Sequence, residues 1–543
     1  MAAVWGRTRA RAVVALLAAG TMVAGIPAAA GAQQAHDGPV AAEVGAVDEV
    51  AWGDCDEETL AGVAQDQRAL YSCATYRVPI DHDNAALGTI DLALLRRAAA
   101  DPDARIGSLF VNPGGPGGPG RTMPMGAEQY FEQPVIDRFD IIGFDPRGVG
   151  ESNPVRCFTT AEDADEVLGG HVAVPVSQQE MSRTLAIYRD YAQFCDRNSG
   201  VLLRHMSTKA VARDLDLLRA AVGDEQLTYV GFSYGTLLGA TYANLFPQRS
   251  RALILDGNVD PKLRTSDGRR YDGERAGGFE VALDAFLREC EQVRERCAFS
   301  PGQPRQKFDE LRGHLRRQPI PLPGGTDLDL TAFTNGVAGA LYSAEALPSL
   351  AKDLQSIHDV VSTPEGVQPK TLTEDDLRVV LEPGIDPRFD ARPDSKYLAD
   401  DAYFAVNCAD KPFRHSHDEL PALAGQWEDE SPVFGRAQAF ADPAGCPVWP
   451  ADTKADAYRG PWNAKTANPV LVIGNYYDPA TQYTFSERMA SQLGYARLLS
   501  VDAFGHCILG DSTGVDKAAT EYLLNLTVPD SGQVYEADKA PFD

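Results

Sequence analysis

Cysteines at C-x-x-C spacing are absent from this 543-residue chain. Most zinc and redox sites use that spacing, so neither chemistry has support here. Positive charge is scarce: 50 Lys and Arg stand against 77 Asp and Glu, a net charge of −27. So acidic a chain is a poor partner for nucleic acid or an anionic membrane. Beyond the first 32 residues no apolar run reaches membrane-spanning length. Internal repeats and long low-complexity tracts are also missing, so the length corresponds to two to four ordinary domains' worth of core.

What is present begins with an export pattern. Arg7, Arg9 and Arg11 precede a short apolar run, Val13 to Ile26, and Ala30-Gly31-Ala32 fits a small-x-small cleavage site. Residues 1–32 therefore read as a signal peptide cleaved near Ala32, and the protein as secreted. The arginines are not adjacent, and no cysteine follows closely enough for a lipid anchor. All nine cysteines lie in the exported part, where disulfides are the default. Connectivity is not readable from sequence, but proximity along the chain suggests Cys55–Cys73, Cys157–Cys195, Cys290–Cys297 and Cys408–Cys446. That scheme leaves Cys507 outside the bridges.

The chemistry centres on Gly231-Phe-Ser-Tyr-Gly235, a G-x-S-x-G match with an apolar, β-rich left flank and a helix-like right flank from Thr236 to Phe246. Strand, sharp turn and helix are the context of a nucleophile elbow, with Ser233 at its tip and at a helix N-terminus. A second signal precedes it. Gly107-Ser-Leu-Phe-Val reads as a buried parallel strand and runs into Asn112-Pro-Gly-Gly-Pro-Gly-Gly-Pro-Gly120. A Gly-rich loop at that place exposes backbone N–H groups, as an oxyanion hole requires. Gly115 is one expected donor and Tyr234, the residue after the serine, the other.

A further strand, Arg138 to Asp145, leads into Pro146-Arg-Gly-Val-Gly-Glu-Ser152. Together, N-P-G-G-P-G-G, F-D-P-R-G-V-G-E-S and G-F-S-Y-G resemble the secreted tripeptidyl aminopeptidases of actinomycetes, within the prolyl-aminopeptidase-like α/β-hydrolases. That family usually has H-G-G-P-G, and Pro113 stands at the histidine position here. The resemblance extends over nearly the whole mature chain. It implies an exopeptidase acting on peptides with free N-termini, releasing tripeptides foremost.

The remaining pattern is that of an α/β-hydrolase: a mostly parallel sheet with an inserted, mostly helical cap. Residues 33–50 read as disordered, and 51–260 as the first part of the core. Its lead-in holds two antiparallel strands, Ala74 to Ile80 and Thr89 to Arg96. The sheet pattern then stops, and 261–465 read as the cap; Phe279, Leu283, Phe286, Leu287 and Cys290 share one helical face there. Residues 466–530 read as the second core part and 531–543 as a tail. Asp478 follows the β-run Asn468 to Gly474, and His506 follows the last strand, Tyr495 to Val501. The order Ser, Asp, His suits this fold. Asp256, also at a strand end, is the alternative acid.

The expected chemistry follows. His506 takes the proton of Ser233, Asp478 orients the imidazole, and the N–H groups of Gly115 and Tyr234 bind the oxyanion. No metal or organic cofactor is called for. Two rivals stay open: a secreted carboxylesterase or lipase of the same fold, and a binding protein on a silent hydrolase scaffold. An exopeptidase must meet a substrate ammonium with a carboxylate. Asp410, beside Cys408 in a stretch similar to one in the family, is the candidate, and Glu151 the next. Oligomeric state is not readable.

Overall fold

Nine strands form one sheet in the computed structural model, which describes residues 48–323, 325, 327–364, 371–381, 401–454 and 456–543. The expected signal peptide and nearly all of the 33–50 segment lie outside the described residues. β1 (Tyr71–Pro79) and β2 (Thr89–Arg97) pair antiparallel, from Tyr71 opposite Arg97 to Pro79 opposite Thr89. The connection turns on Asp81, whose carboxylate accepts the Asp83 N–H at 2.8 Å. Then come β3 (Gly107–Asn112), β4 (Phe139–Phe144), β5 (Leu227–Phe232) and β6 (Ser250–Asp256). A separate hairpin joins β7 (Ile320–Pro321) and β8 (Asp327–Leu328). β9 (Val470–Tyr477), β10 (Ala496–Phe504) and β11 (Val534–Glu536) complete the sheet. Its order is β1-β2-β4-β3-β5-β6-β9-β10-β11, parallel everywhere except around β2.

The central strands are apolar throughout because both faces are covered. Alternate residues serve different sides. Leu109, Val111, Val230, Phe232, Ile254, Leu471 and Ile473 join one core with helices Gln133–Arg138 and Thr513–Asn525. Phe110, Tyr229, Leu253, Leu255 and Val472 join another, with helices Gln178–Asn198, Thr208–Ala221 and Gly235–Leu245. Each buried Leu, Ile or Phe contributes about 1.5–3 kcal/mol. A one-residue slip of a central strand would swap the two sets, so register is held strongly.

β6 and β9 are neighbours in the sheet although the helical insertion separates them in sequence. Helix Gly268–Val293 carries the expected apolar face. Phe279, Leu283, Phe286, Leu287 and Cys290 are buried with Phe308, Phe333, Leu350 and Leu354 of the helices that follow. The stretch read as a tail does more than trail: Ser500 pairs with Val534, and Phe542 stacks on Phe286 at 6.2 Å between centroids. Three strand residues of mixed polarity carry too little period to be seen in advance. Among the described residues no helix is long and apolar enough to cross a membrane.

Four disulfides join Cys55–Cys73, Cys157–Cys195, Cys290–Cys297 and Cys408–Cys446, as proximity suggested. The buried Cys507 thiol is directed at the Asp256 carbonyl, 3.4 Å away. Peptide mapping without reduction is expected to return these four cross-linked pairs. Cys507 is expected to alkylate only after denaturation; a bridge to Cys507, or its alkylation in the folded protein, contradicts this packing.

Candidate active site

β3 and β5 run side by side, while the chain leaves them toward opposite edges of the sheet. Such a switch point opens a crevice at the carboxyl ends of the strands, and Ser233 follows β5 directly. Its φ of +54° lies in the left-handed region, where a residue with a Cβ is strained by roughly 1–3 kcal/mol. Three hydrogen bonds hold it there. The Ser233 N–H donates to Asp256 O at 2.9 Å, and the Ser233 carbonyl accepts from Thr236 N at 2.9 Å and Thr236 Oγ1 at 2.6 Å. The two motif glycines are required because they touch. A Cβ on Gly231 would stand 2.5 Å from Gly235 O, and one on Gly235 would stand 2.8 Å from Asn112 Oδ1.

The Gly-rich loop after β3 packs on this turn. A Cβ on Gly114 would lie 2.4 Å from Phe232 O and 2.9 Å from Ser233 Cβ. Ser233, Gly115 and Tyr234 line one cavity. Among the described residues no acceptor takes the N–H of Gly115 or of Tyr234. Pro113, in the position where the family usually has histidine, leaves those backbone donors in place.

Asp478 stands one residue past β9, and His506 two past β10, behind Gly505 with a φ of 103°. The two are buried together. His506 Nδ1 lies 2.9 Å from Asp478 Oδ2 and 3.0 Å from Oδ1. The carboxylate also accepts from Ala480 N at 2.9 Å, Thr481 N at 2.8 Å and Thr481 Oγ1 at 2.9 Å. Burial alone would raise its pKa; the imidazole and the Thr481 donors outweigh burial and hold it below the usual carboxylate range. An ionised carboxylate accepts only, so Nδ1 carries the proton and Nε2 of a neutral ring keeps its lone pair. The backbone N–H of His506 donates to the Tyr342 backbone carbonyl at 2.8 Å, and the Tyr342 ring meets the imidazole edge-on at 5.1 Å.

The alternative acid, Asp256, has another task. Its Oδ2 accepts the N–H groups of Ile508 and Leu509, each at 2.9 Å, while its carbonyl takes the Ser233 N–H. Gly257 then donates to Ile473 O of β9, 3.2 Å away, and a Cβ on it would meet His506 Cε1 at 3.2 Å. The serine turn, the β9 end and the histidine loop are thus tied together at Asp256-Gly257.

Neither candidate for a substrate ammonium lines the cavity. Asp410 is buried behind Tyr234. It accepts from Thr208 N at 3.2 Å and Thr208 Oγ1 at 2.5 Å, and the Tyr234 hydroxyl in turn donates to Thr208 Oγ1. Its carboxylate is consumed in positioning Tyr234, and burial raises its pKa. Glu151 has a half-exposed side chain paired with Arg121. Sequence reasoning missed Thr481, Tyr342, Arg264 and Arg275, all at or beside the cavity. A Thr three residues after a strand-end Asp was a usable signal for the first. The others had none among so many like residues.

A mostly parallel sheet with a serine elbow after β5, a carboxylate after β9 and a histidine after β10 defines an α/β-hydrolase. Comparison with known proteins agrees. Residues 107–294 match the family described as alpha/beta hydrolase fold, and 431–535 the family described as TAP-like protein. Serine protease Hip1 of Mycobacterium tuberculosis is 31% identical over 466 residues, covering 85% of this chain and 86% of that protein. Carboxylesterase B of the same species is 31% identical over 552 residues, 97% of this chain and 98% of its own. Tripeptidyl aminopeptidase of Streptomyces coelicolor is 28% identical over 458 residues, 81% and 78%. The chain belongs to the α/β-hydrolase family, in the group that carries the TAP-like segment.

Burial lifts the pKa of Asp256 to about 6, its two N–H donors notwithstanding. Below the ordinary pKa of 3.8 the group is protonated in both folded and unfolded chains and costs nothing. Between 3.8 and about 6 the unfolded chain releases the proton while the folded one keeps it, so stability falls across that interval and levels off above it, where the folded state holds a buried ion. Between about pH 4 and about pH 7 the wild type is expected to lose on the order of 3 kcal/mol relative to Asp256→Asn. Urea denaturation of both proteins across that range checks this; a constant difference would show an ordinary carboxyl.

Proposed function

We propose that this protein is a secreted serine exopeptidase that releases short peptides, tripeptides foremost, from free N-termini through an acyl-enzyme on Ser233. The observation that carries the reading is the buried His506–Asp478 pair in the loops that Asp256-Gly257 ties to the Ser233 turn. In the proposed reaction Ser233 Oγ attacks the scissile carbonyl and passes its proton to His506 Nε2. Asp478 keeps the tautomer and stabilises the imidazolium. The N–H groups of Gly115 and Tyr234 receive the oxyanion, a donor of this kind contributing about 3–4 kcal/mol. His506 then protonates the leaving amine, and water, activated by the same imidazole, frees the acyl group.

The tripeptidyl aminopeptidase and serine protease among the relatives support peptides as substrates. Cavity walls from the insertion, Arg264, Tyr271, Arg275, Tyr403 and Asn407, suit a chain end better than a folded loop. At about 3.3–3.6 Å per residue, the N-terminus of a tripeptidyl acyl group lies roughly 10 Å from the carbonyl. Its ammonium is therefore met beyond this cavity, and Asp410 is not required at the serine. Four disulfides support an oxidising, extracellular location. A carboxylesterase is the second reading, favoured by a relative of that name that aligns over nearly the entire chain.

Ser233→Ala is expected to lower kcat by about 10⁶, and Asp478→Asn by on the order of 10⁴, with Asp256→Asn far milder. Tripeptidyl p-nitroanilides measure this; a milder loss at Asp478 than at Asp256 would exchange their roles. N-acetylation of the tripeptidyl substrate is expected to lower kcat/KM sharply. Equal cleavage of free and acetylated peptides, or turnover of acyl esters alone, would favour the esterase.

A further inference from the structure

The wall beside Ser233 is cationic in an otherwise acidic protein. Arg264 and Arg275 both line the serine's cavity, whose described lining contains no carboxylate. Arg264 is buried, with 4% of its surface exposed. Its Nη2 donates to Asn407 Oδ1, while its Nε and the Asn407 amide nitrogen have no acceptor among the described residues. The guanidinium lies 5.6 Å from the Tyr234 ring centroid and 5.3 Å from that of Tyr271. Arg275 donates its Nε to Ala480 O at 3.2 Å, two residues past Asp478. One cation thus stands beside the oxyanion residue and the other beside the acid's loop.

Neither guanidinium has an ion pair among the described residues. The carboxylates that act on Arg264 are Asp442, Asp272 and Asp410. The first two accept from Lys411 Nζ, at 2.5 Å and 2.6 Å, and the third is taken by Thr208. The surrounding charge keeps both guanidinium groups protonated, Asp272 acting on each, while Arg264 Nε is left with no acceptor among the described residues. Their stacking and fixed anchors make them ready donors for a planar anion, which guanidinium binds through two parallel hydrogen bonds.

We propose that Arg264 and Arg275 form an anion-binding subsite that takes a carboxylate of the substrate next to the scissile bond. This rests on the reading of Ser233 as the nucleophile. Two sources carry the chemistry: an acidic side chain on the residue that acylates Ser233, or the α-carboxylate of a single leaving residue. In either case the cationic wall makes the cavity selective for acidic peptide ends over neutral ones.

The test compares matched pairs. One arm uses Ala-Ala-Glu and Ala-Ala-Gln coumarylamides; the other uses tetra-alanine as free acid and as C-terminal amide. In at least one arm the carboxylate member is expected to be cleaved with kcat/KM about tenfold higher or more. The arm that shows it names the source. That ratio is expected to fall close to one in Arg275→Gln and Arg264→Gln. Labelling of Ser233 by a fluorophosphonate reports an intact nucleophile in each variant, and if Arg264→Gln does not fold, Arg275→Gln decides. Ratios near or below one in both arms of a wild type that labels at Ser233 overturn the subsite alone. So does a ratio unchanged in Arg275→Gln. Absence of labelling at Ser233 in the wild type overturns the serine reading, and the subsite falls with it.

Discussion

A serine held at positive φ is the constraint on which the rest of the structure depends. Such a turn persists only where its surroundings leave the backbone no better choice. Here Gly231 and Gly235 are in contact across the turn, Gly114 closes it from the β3 side, and Asp256 O takes the serine's N–H. Gly231 and Asp256 lie at the ends of buried strands, and Gly114 follows a third. The unbroken apolar runs of β3, β5 and β6 therefore bear on the site as well as on stability: they fix where the loops leave the carboxyl ends of the strands.

Asp256 shows how such a site distributes its acids. Two carboxylates lie at neighbouring strand ends, and their partners push them in opposite directions. Asp478 faces an imidazole and is held ionised. Asp256 is hydrogen-bonded to two backbone N–H groups in a buried pocket, and burial lifts its pKa to about 6. An ion is thereby stabilised where an imidazolium would need it, while the neighbour serves as a tether. Asp410 is a second tether, reaching Tyr234 through one threonine hydroxyl. Buried carboxylates near a reactive serine are thus not interchangeable, and proximity alone does not assign their roles.

Much of this was legible in the residues. Buried parallel strands announce themselves as apolar runs, the serine turn as two glycines about a serine, and the paired carboxylate and histidine as residues just past strand ends. The disulfides followed because each cysteine's partner is near in sequence as well as in space. What escaped depends on contacts between distant segments. Arg264 and Arg275 look like any other arginines until helices Pro261–Ser266 and Gly268–Val293 fold over the serine. Asp410 looked like a ligand because a cysteine bridge fixes its neighbour. Only packing shows its oxygens turned toward Thr208 and away from the cavity. β11 was hidden because its pairing with β10 supplies the order that three residues cannot supply alone.

The cationic wall also constrains how a chain end can be read at this serine. An ammonium within about 4 Å of an unpaired guanidinium is opposed by roughly 1–4 kcal/mol, depending on solvent exposure. A free amino group on the acylating residue itself is thus disfavoured, which weighs against removal of single residues. Moved back by two residues, the same amino group clears the guanidinium groups. A carboxylate next to the scissile bond would then meet opposite charge, and an ammonium at the far end of a short acyl group would escape the repulsion. Peptide length and side-chain charge would both be biased by one arrangement of fixed cations.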